Sequence, residues 1–207
     1  MCALLRSSLN LRVIAAGTCT AAVGALGIHM LEDSMSALDS LYLSVMTLST
    51  VGYGDKVPTN SASRMFVCLL SLAGLGIFGA AMNVAASWRK EALQRRGYLR
   101  HGAVLLELLA TLVSGALCWA LLGRGTSVSE CLYFALVTAT TIGYGDIAPQ
   151  TAAGKVAVML YAVSAIPVMA AAIDASGAAI TSGLRPEAAA VAVPKKEKKK
   201  KKKKKQR

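Results

Sequence analysis

The sequence predicts an all-α membrane protein: four membrane-spanning helices, with two shorter helices that dip into the bilayer and return as loops. Three observations carry this prediction. Of 207 residues, 55% are hydrophobic and only 16% are charged, with a mean hydropathy of +0.51. A soluble domain carries about 25% charged residues. The apolar residues also gather in four long runs. Finally, the chain repeats itself: shifted by 91 residues, its halves align without a gap. Nine of the eighteen positions from Leu41 to Pro58 are identical to Leu132–Pro149. These features exclude a soluble enzyme, and they exclude disorder except at the C-terminus.

Residues 1–12 are expected to form a cytoplasmic N-terminus, and the first apolar run is Val13–Leu31, uninterrupted by charge. Its length reaches about 28 Å at 1.5 Å per residue, enough to span. Arg6 and Arg12 precede it as in a signal peptide. The run is longer than a typical signal core and lacks a clear cleavage site, so a retained helix is expected. Ser36-Ala37-Leu38-Asp39 then reads as a capping box. About ten helical residues follow, too few to span, so the segment is expected to be re-entrant. It leads into Thr50-Val51-Gly52-Tyr53-Gly54-Asp55, and the second run is Met65–Trp88. The first repeat is therefore 13–88.

A basic linker, 89–102, separates the repeats. The second repeat, 103–183, has the same parts. They are a run from Ala103 to Leu122, the box Ser127-Val128-Ser129-Glu130, Thr141-Ile142-Gly143-Tyr144-Gly145-Asp146, and a run from Val156 to Gly183. Residues 184–207 form a disordered polybasic tail, and both repeats cross the membrane in the same direction.

Arg89, Lys90, Arg95, Arg96 and Arg100 lie in the linker, whereas the opposite side carries Glu32, Asp33, Asp39, Asp55, Glu130 and Asp146. By the positive-inside rule the linker and both termini are cytoplasmic. Of the net charge of +12, the segment Lys195–Arg207 holds +10. The basicity describes a tail, which argues against a nucleic-acid partner. The five cysteines (Cys2, Cys19, Cys68, Cys118, Cys131) show no CxxC and read as packing residues. His29 and His101 have no partner at metal-ligand spacing.

Each re-entrant helix points its C-terminal end toward the bilayer centre, where the negative end of its dipole favours a cation. The glycines after it permit backbone angles that L-residues resist. Successive carbonyls can then turn toward one axis, and four such strands would replace the hydration shell of a potassium ion.

These two segments match the selectivity-filter signature of potassium channels. Two copies on four helices resemble the two-pore-domain potassium channels, including the plant and algal branch, over roughly Val13 to Gly183. The resemblance implies tandem two-helix potassium-channel pore repeats, passive potassium transport and no catalytic residues. It implies no cofactor, with potassium as the permeant ion. A filter needs four loops, so two per chain imply a homodimer. Thr50 and Thr141 would form the innermost ion site. Val51, Gly52, Tyr53 and Ile142, Gly143, Tyr144 would give the middle and outer carbonyls, and Gly54 and Gly145 would close the outer mouth. Asp55 and Asp146 would sit just outside, each hydrogen-bonded to a pore-helix aromatic, here Tyr42 and Tyr133. The alternative is a non-conducting regulatory subunit or a nonselective cation channel of the same fold.

Departures from the family are visible too. The few residues between Leu31 and Ser36 leave no room for the extracellular cap of animal members. No EF-hand loop and no helix with regularly spaced cations is visible. Gly74-Leu75-Gly76-Ile77-Phe78-Gly79 fits a dinucleotide motif but lies inside a spanning run with no strand before it. Gly74 reads instead as a hinge in an inner helix, and Pro167 is expected to kink the other. Asp174 aligns with Asn83 near the cytoplasmic mouth. It would either concentrate cations there or pair with linker arginines. Trp88 and Trp119 read as interface anchors. The tail Lys195–Arg207 suits anionic lipid, and its last four residues also resemble an endoplasmic-reticulum retrieval signal. Plasma, vacuolar and endoplasmic-reticulum membranes all stay open.

Overall fold

The structure, a computed structural model, describes residues 2–95, 100–122 and 127–191. The Lys195–Arg207 tail lies outside the described residues. Among those residues the elements are α1 (Cys2–Leu31), α2 (Ala37–Leu48), α3 (Ser61–Arg95), α4 (Arg100–Leu122), α5 (Val128–Ala139) and α6 (Ala152–Val191), with no strand.

Local chemistry sets where these helices begin. Ser36 and Ser127 are extended and cap α2 and α5 by accepting the N–H of Asp39 and Glu130 at 3.1 and 3.3 Å. Only the second copy closes the full box, with Glu130 Oε2 accepting Ser127 N–H at 3.0 Å. Asn60 Oδ1 caps α3 by accepting Ser63 N–H at 2.9 Å, and Thr151 Oγ1 caps α6 by accepting Gly154 N–H at 3.0 Å.

α1 holds a 22-residue apolar span, Asn10–Leu31, and α6 a 23-residue one, Ala152–Asp174. The apolar part of α4, Leu105–Leu121, has 17 residues, about 25 Å long. α3 is a broken span whose halves, Ser61–Leu72 and Gly74–Ala85, meet at 45°. α6 passes Pro167 as one span, whereas the 45° bend falls in α3 at Gly74. α2 and α5, at 12 residues each, are too short to cross. The helices outrun the apolar runs in the sequence because backbone hydrogen bonding does not stop where the lipid does.

The chain forms two compact units, one through Ala172 and one from Ile173 onward. The described part of the second is the remainder of α6, with Ile173 and Asp174 exposed. In the first unit α1 packs on α3 and α2, and α4 packs on α5. The α1–α3 approach is close: a Cβ on Gly24 would lie 2.7 Å from Leu70, and one on Gly27 would run into the Phe66 ring. Small residues at such contacts let helices meet where lipid offers no hydrophobic drive. The core centres on the two short helices, with Tyr42, Leu48, Phe134 and Val158 all buried. Leu105, Leu109, Val113 and Leu117 of α4 are exposed along one face, as a lipid-facing stripe requires.

Candidate functional site

The last turn of each short helix runs into a Gly-Tyr-Gly segment, and it holds that segment by its amides. Val51 N–H and Gly52 N–H both donate to Met46 O at 3.1 Å. In the repeat, Ile142 and Gly143 N–H donate to Val137 O at 3.0 and 3.3 Å. Thr50 and Thr141 N–H donate to Thr47 O and Thr138 O, each at 3.1 Å. The first three amides of each segment are thus taken by the helix before it, which leaves the carbonyls of those residues available to a cation.

The backbone handedness matches in both copies. Thr50, Gly52 and Gly54 have φ of +59°, +54° and +79°, and Thr141, Gly143 and Gly145 have +58°, +54° and +77°. Extended residues normally send successive carbonyls to opposite sides. Inverting φ at every second residue turns them toward the same side. Glycine takes such angles freely, but threonine does not: a β-branched residue there costs about 1–2 kcal/mol. Strain of this kind collects at functional sites.

The two strands of one chain lie side by side. A Cβ on Gly143 would collide with the carbonyl oxygen of Val51, and one on Gly145 with that of Tyr53. Around them the first strand is enclosed and the second is not. Tyr53 is 5% exposed and Tyr144 67%, while Val51 is 3% exposed and Ile142 49%. Tyr53 earns its burial from α5: its hydroxyl meets Thr138 Oγ1, and its ring stacks on Phe134 at 6.1 Å. Phe134 stacks in turn on Trp119 at 4.3 Å. Trp119 is therefore buried in this stack rather than anchored at an interface, whereas Trp88 is exposed.

Both outer aspartates bond the expected tyrosines. Tyr42 OH donates to Asp55 Oδ1 at 3.2 Å, and Tyr133 OH to Asp146 Oδ2 at 2.9 Å. On the other side of the strands a cavity of about 320 Å³ is lined by Ser49, Thr50, Met82, Asn83 and Ile166, among others. Thr50 and Asn83 thus share one cavity. Gly74 lies where a Cβ would meet Leu48, at the end of α2. Pro167 sits inside α6, and Asp174, in the second unit, is exposed.

The ion channel family model matches residues 14–91 and again 106–182, one match on each repeat and more than half of the chain together. This chain belongs to the ion channel family, in its two-pore-domain potassium channel branch. It is 31% identical to "Two pore potassium channel b" of Oryza sativa subsp. japonica over 158 residues, covering 64% of this chain and 45% of the relative. It is 28% identical to "Two-pore potassium channel 1" of Arabidopsis thaliana, with 64% and 45% covered. It is 29% identical to "Potassium channel subfamily K member 17" of Homo sapiens, with 52% and 36% covered. The chain spans less than half the length of each of these relatives. The family is one of membrane ion channels, not enzymes.

Two polar clusters of this two-pore chain escape sequence reasoning. Glu32, just past α1 and 2% exposed, clamps the start of α3. Its carboxylate accepts Thr59 N–H at 2.6 Å, Thr59 Oγ1–H at 2.7 Å, Asn60 N–H at 3.3 Å and the Ser63 hydroxyl. Those donors, the Ser63 hydroxyl foremost, hold it at about 2, well below its ordinary 4.5. Asp39 turns its carboxylate to Lys155 Nζ on α6 and to Lys56 Nζ at 3.2 Å. The Lys155 hydrogen bond leads in pulling Asp39 below its ordinary value, against some desolvation, with Lys56 adding to it. The acid read as a helix cap is thus also a tie between the two repeats.

Proposed function

We propose that this chain is a potassium-selective channel that passes the ion passively down its electrochemical gradient through a dimeric pore. The observation that carries the proposal is the alternation of left-handed angles at Thr50, Gly52 and Gly54 and again at Thr141, Gly143 and Gly145. Two strands with carbonyls turned to one side, and the first three amides of each already satisfied, would make half of a ring of oxygen sites. A second copy supplies the other half.

The unequal environment of the repeats supports that homodimer. Gly143 and Gly145 abut the first strand, whereas a Cβ on Gly52 or Gly54 would meet nothing within 4 Å. By the 91-residue register, Thr47 of the partner subunit would take for Tyr144 the part that Thr138 plays for Tyr53. The cavity below Thr50 would then be part of an inner vestibule. The chain organises as two pore repeats, 13–88 and 103–183, with a cytoplasmic linker, both termini cytoplasmic, and a tail that binds anionic lipid. The register pairs Asp174 with Asn83, so an acid there would gather cations at the inner mouth. Asp174→Asn is expected to lower block by internal Mg²⁺. Currents indifferent to internal Mg²⁺ in both proteins would reject that role.

Proteoliposomes test the main proposal. With a protonophore present to carry the compensating protons inward, vesicles loaded with potassium chloride should discharge their gradient through the purified protein, and vesicles loaded with sodium chloride should not. Equal discharge of the two salts contradicts selectivity, and discharge of neither contradicts conduction.

A further inference from the structure

The tie between Asp39 and Lys155 has a counterpart that a single chain leaves open. The repeat register carries Asp39 to Glu130 and Lys155 to Arg64. Within the chain, Lys155 of α6 reaches across to the first turn of α2, and it is only 8% exposed. Its register mate Arg64, in the first turn of α3, is exposed, with its Nε donating to Pro58 O at 3.2 Å. Glu130, in the first turn of α5, is exposed as well. Its Oε2 accepts Ser127 N–H, which leaves Oε1 for a cation.

The neighbouring turn shows the same pattern. Met159, one turn beyond Lys155, is buried in the shared core, whereas its register mate Cys68 on α3 is exposed. One face of α6 is covered by the first repeat of the same chain, and the equivalent face of α3 is uncovered. The surface is complementary in charge: an acid on α5 and a base on α3, at the positions of an ion pair already made within the chain.

We propose that in the homodimer Arg64 of the partner subunit pairs with Glu130, giving an inter-subunit brace equivalent to the Asp39–Lys155 brace inside each chain. The inference rests on the dimeric pore reading. Such a ring has four braces near its outer rim, two within chains and two between them. They differ in one respect. Asp39 also holds Lys56, whose register mate is Ile147, so each inter-subunit brace has a single cation. The seam between subunits is therefore the more salt-sensitive one.

Charge exchange tests this on the full chain. Glu130→Arg and Arg64→Glu each set like charges opposite each other, so each should weaken dimer association about tenfold or more by light scattering in detergent. The double exchange, Glu130→Arg with Arg64→Glu, should restore association to within about threefold of wild type. Glu130→Gln, which removes the charge without reversing it, should lose less than Glu130→Arg and should flatten the salt dependence. Helicity by circular dichroism checks that each variant folds. Single exchanges without effect, or a double exchange no better than the singles, would overturn the brace. If the wild type is at the same time dimeric and potassium-selective, the pore reading survives that loss. A monomeric wild type overturns both.

Discussion

Thr50 and Thr141 hold a backbone angle that β-branched residues avoid, and the hydrogen bond from each amide to the helix before it keeps them there. The glycines beside them do different work in one chain and in a dimer. Gly143→Ala puts a methyl group onto the Val51 carbonyl, and Gly52→Ala puts one into open space in a single chain. In a closed ring both sites are filled. Both variants should therefore abolish selective potassium flux, well beyond the ~1 kcal/mol that the left-handed angle alone costs. Normal flux in Gly52→Ala would mean that no second strand lies beside it. Phe134 links the Tyr53 ring to Trp119 and is fully buried. Phe134→Ala should cost about 3 kcal/mol of stability. It should also raise sodium permeability, read as a shift in reversal potential, because the Tyr53 ring loses its support.

At the scale of elements, the capping of α3 depends on a carboxylate contributed by the end of α1. Glu32 has its folded value lowered to about 2 from 4.5, so its stabilising contribution is complete above 4.5 and is lost as pH falls toward 2. Asp39 is lowered from 3.8 and acts in the same direction at the acid end. The thermal midpoint should hold between pH 7 and 5 and drop below about 4.5. Glu32→Gln should start from a lower midpoint and lose less of it on acidification. Parallel curves for the two proteins would show that Glu32 is not the group responsible. The helices, their order and the two glycine loops were legible in the sequence because hydropathy and a gapless repeat encode them directly. Glu32 was not, since its register mate is Gly123 and its partners come 27 to 31 residues later. Nor was the Asp39–Lys155 pair, which joins residues 116 apart. Trp119 misled because a tryptophan near a helix end looks the same whether it faces lipid headgroups or stacks on Phe134. Ala165 and Met169, on either side of Pro167, pack with Leu108 and Leu112, and α6 holds one span while α3 bends at 45° beside Gly74.

For the whole molecule, an enclosed Gly-Tyr-Gly segment lies beside an open one, and on the proposed dimeric reading each chain would supply half of the pore. The strained threonines, the amides bound by α2 and α5 and the tyrosine–aspartate bonds all fix the course of these two segments. Two copies would close the ring, with Tyr144 sheltered against the partner subunit. The most direct test is the reversal potential of the purified, reconstituted protein between a potassium-rich, sodium-poor solution and a sodium-rich, potassium-poor one. It should lie close to the potassium equilibrium potential and move with the potassium gradient alone. A reversal potential near zero, with both ions passing equally, would contradict a ring of dehydrating carbonyls built from these loops.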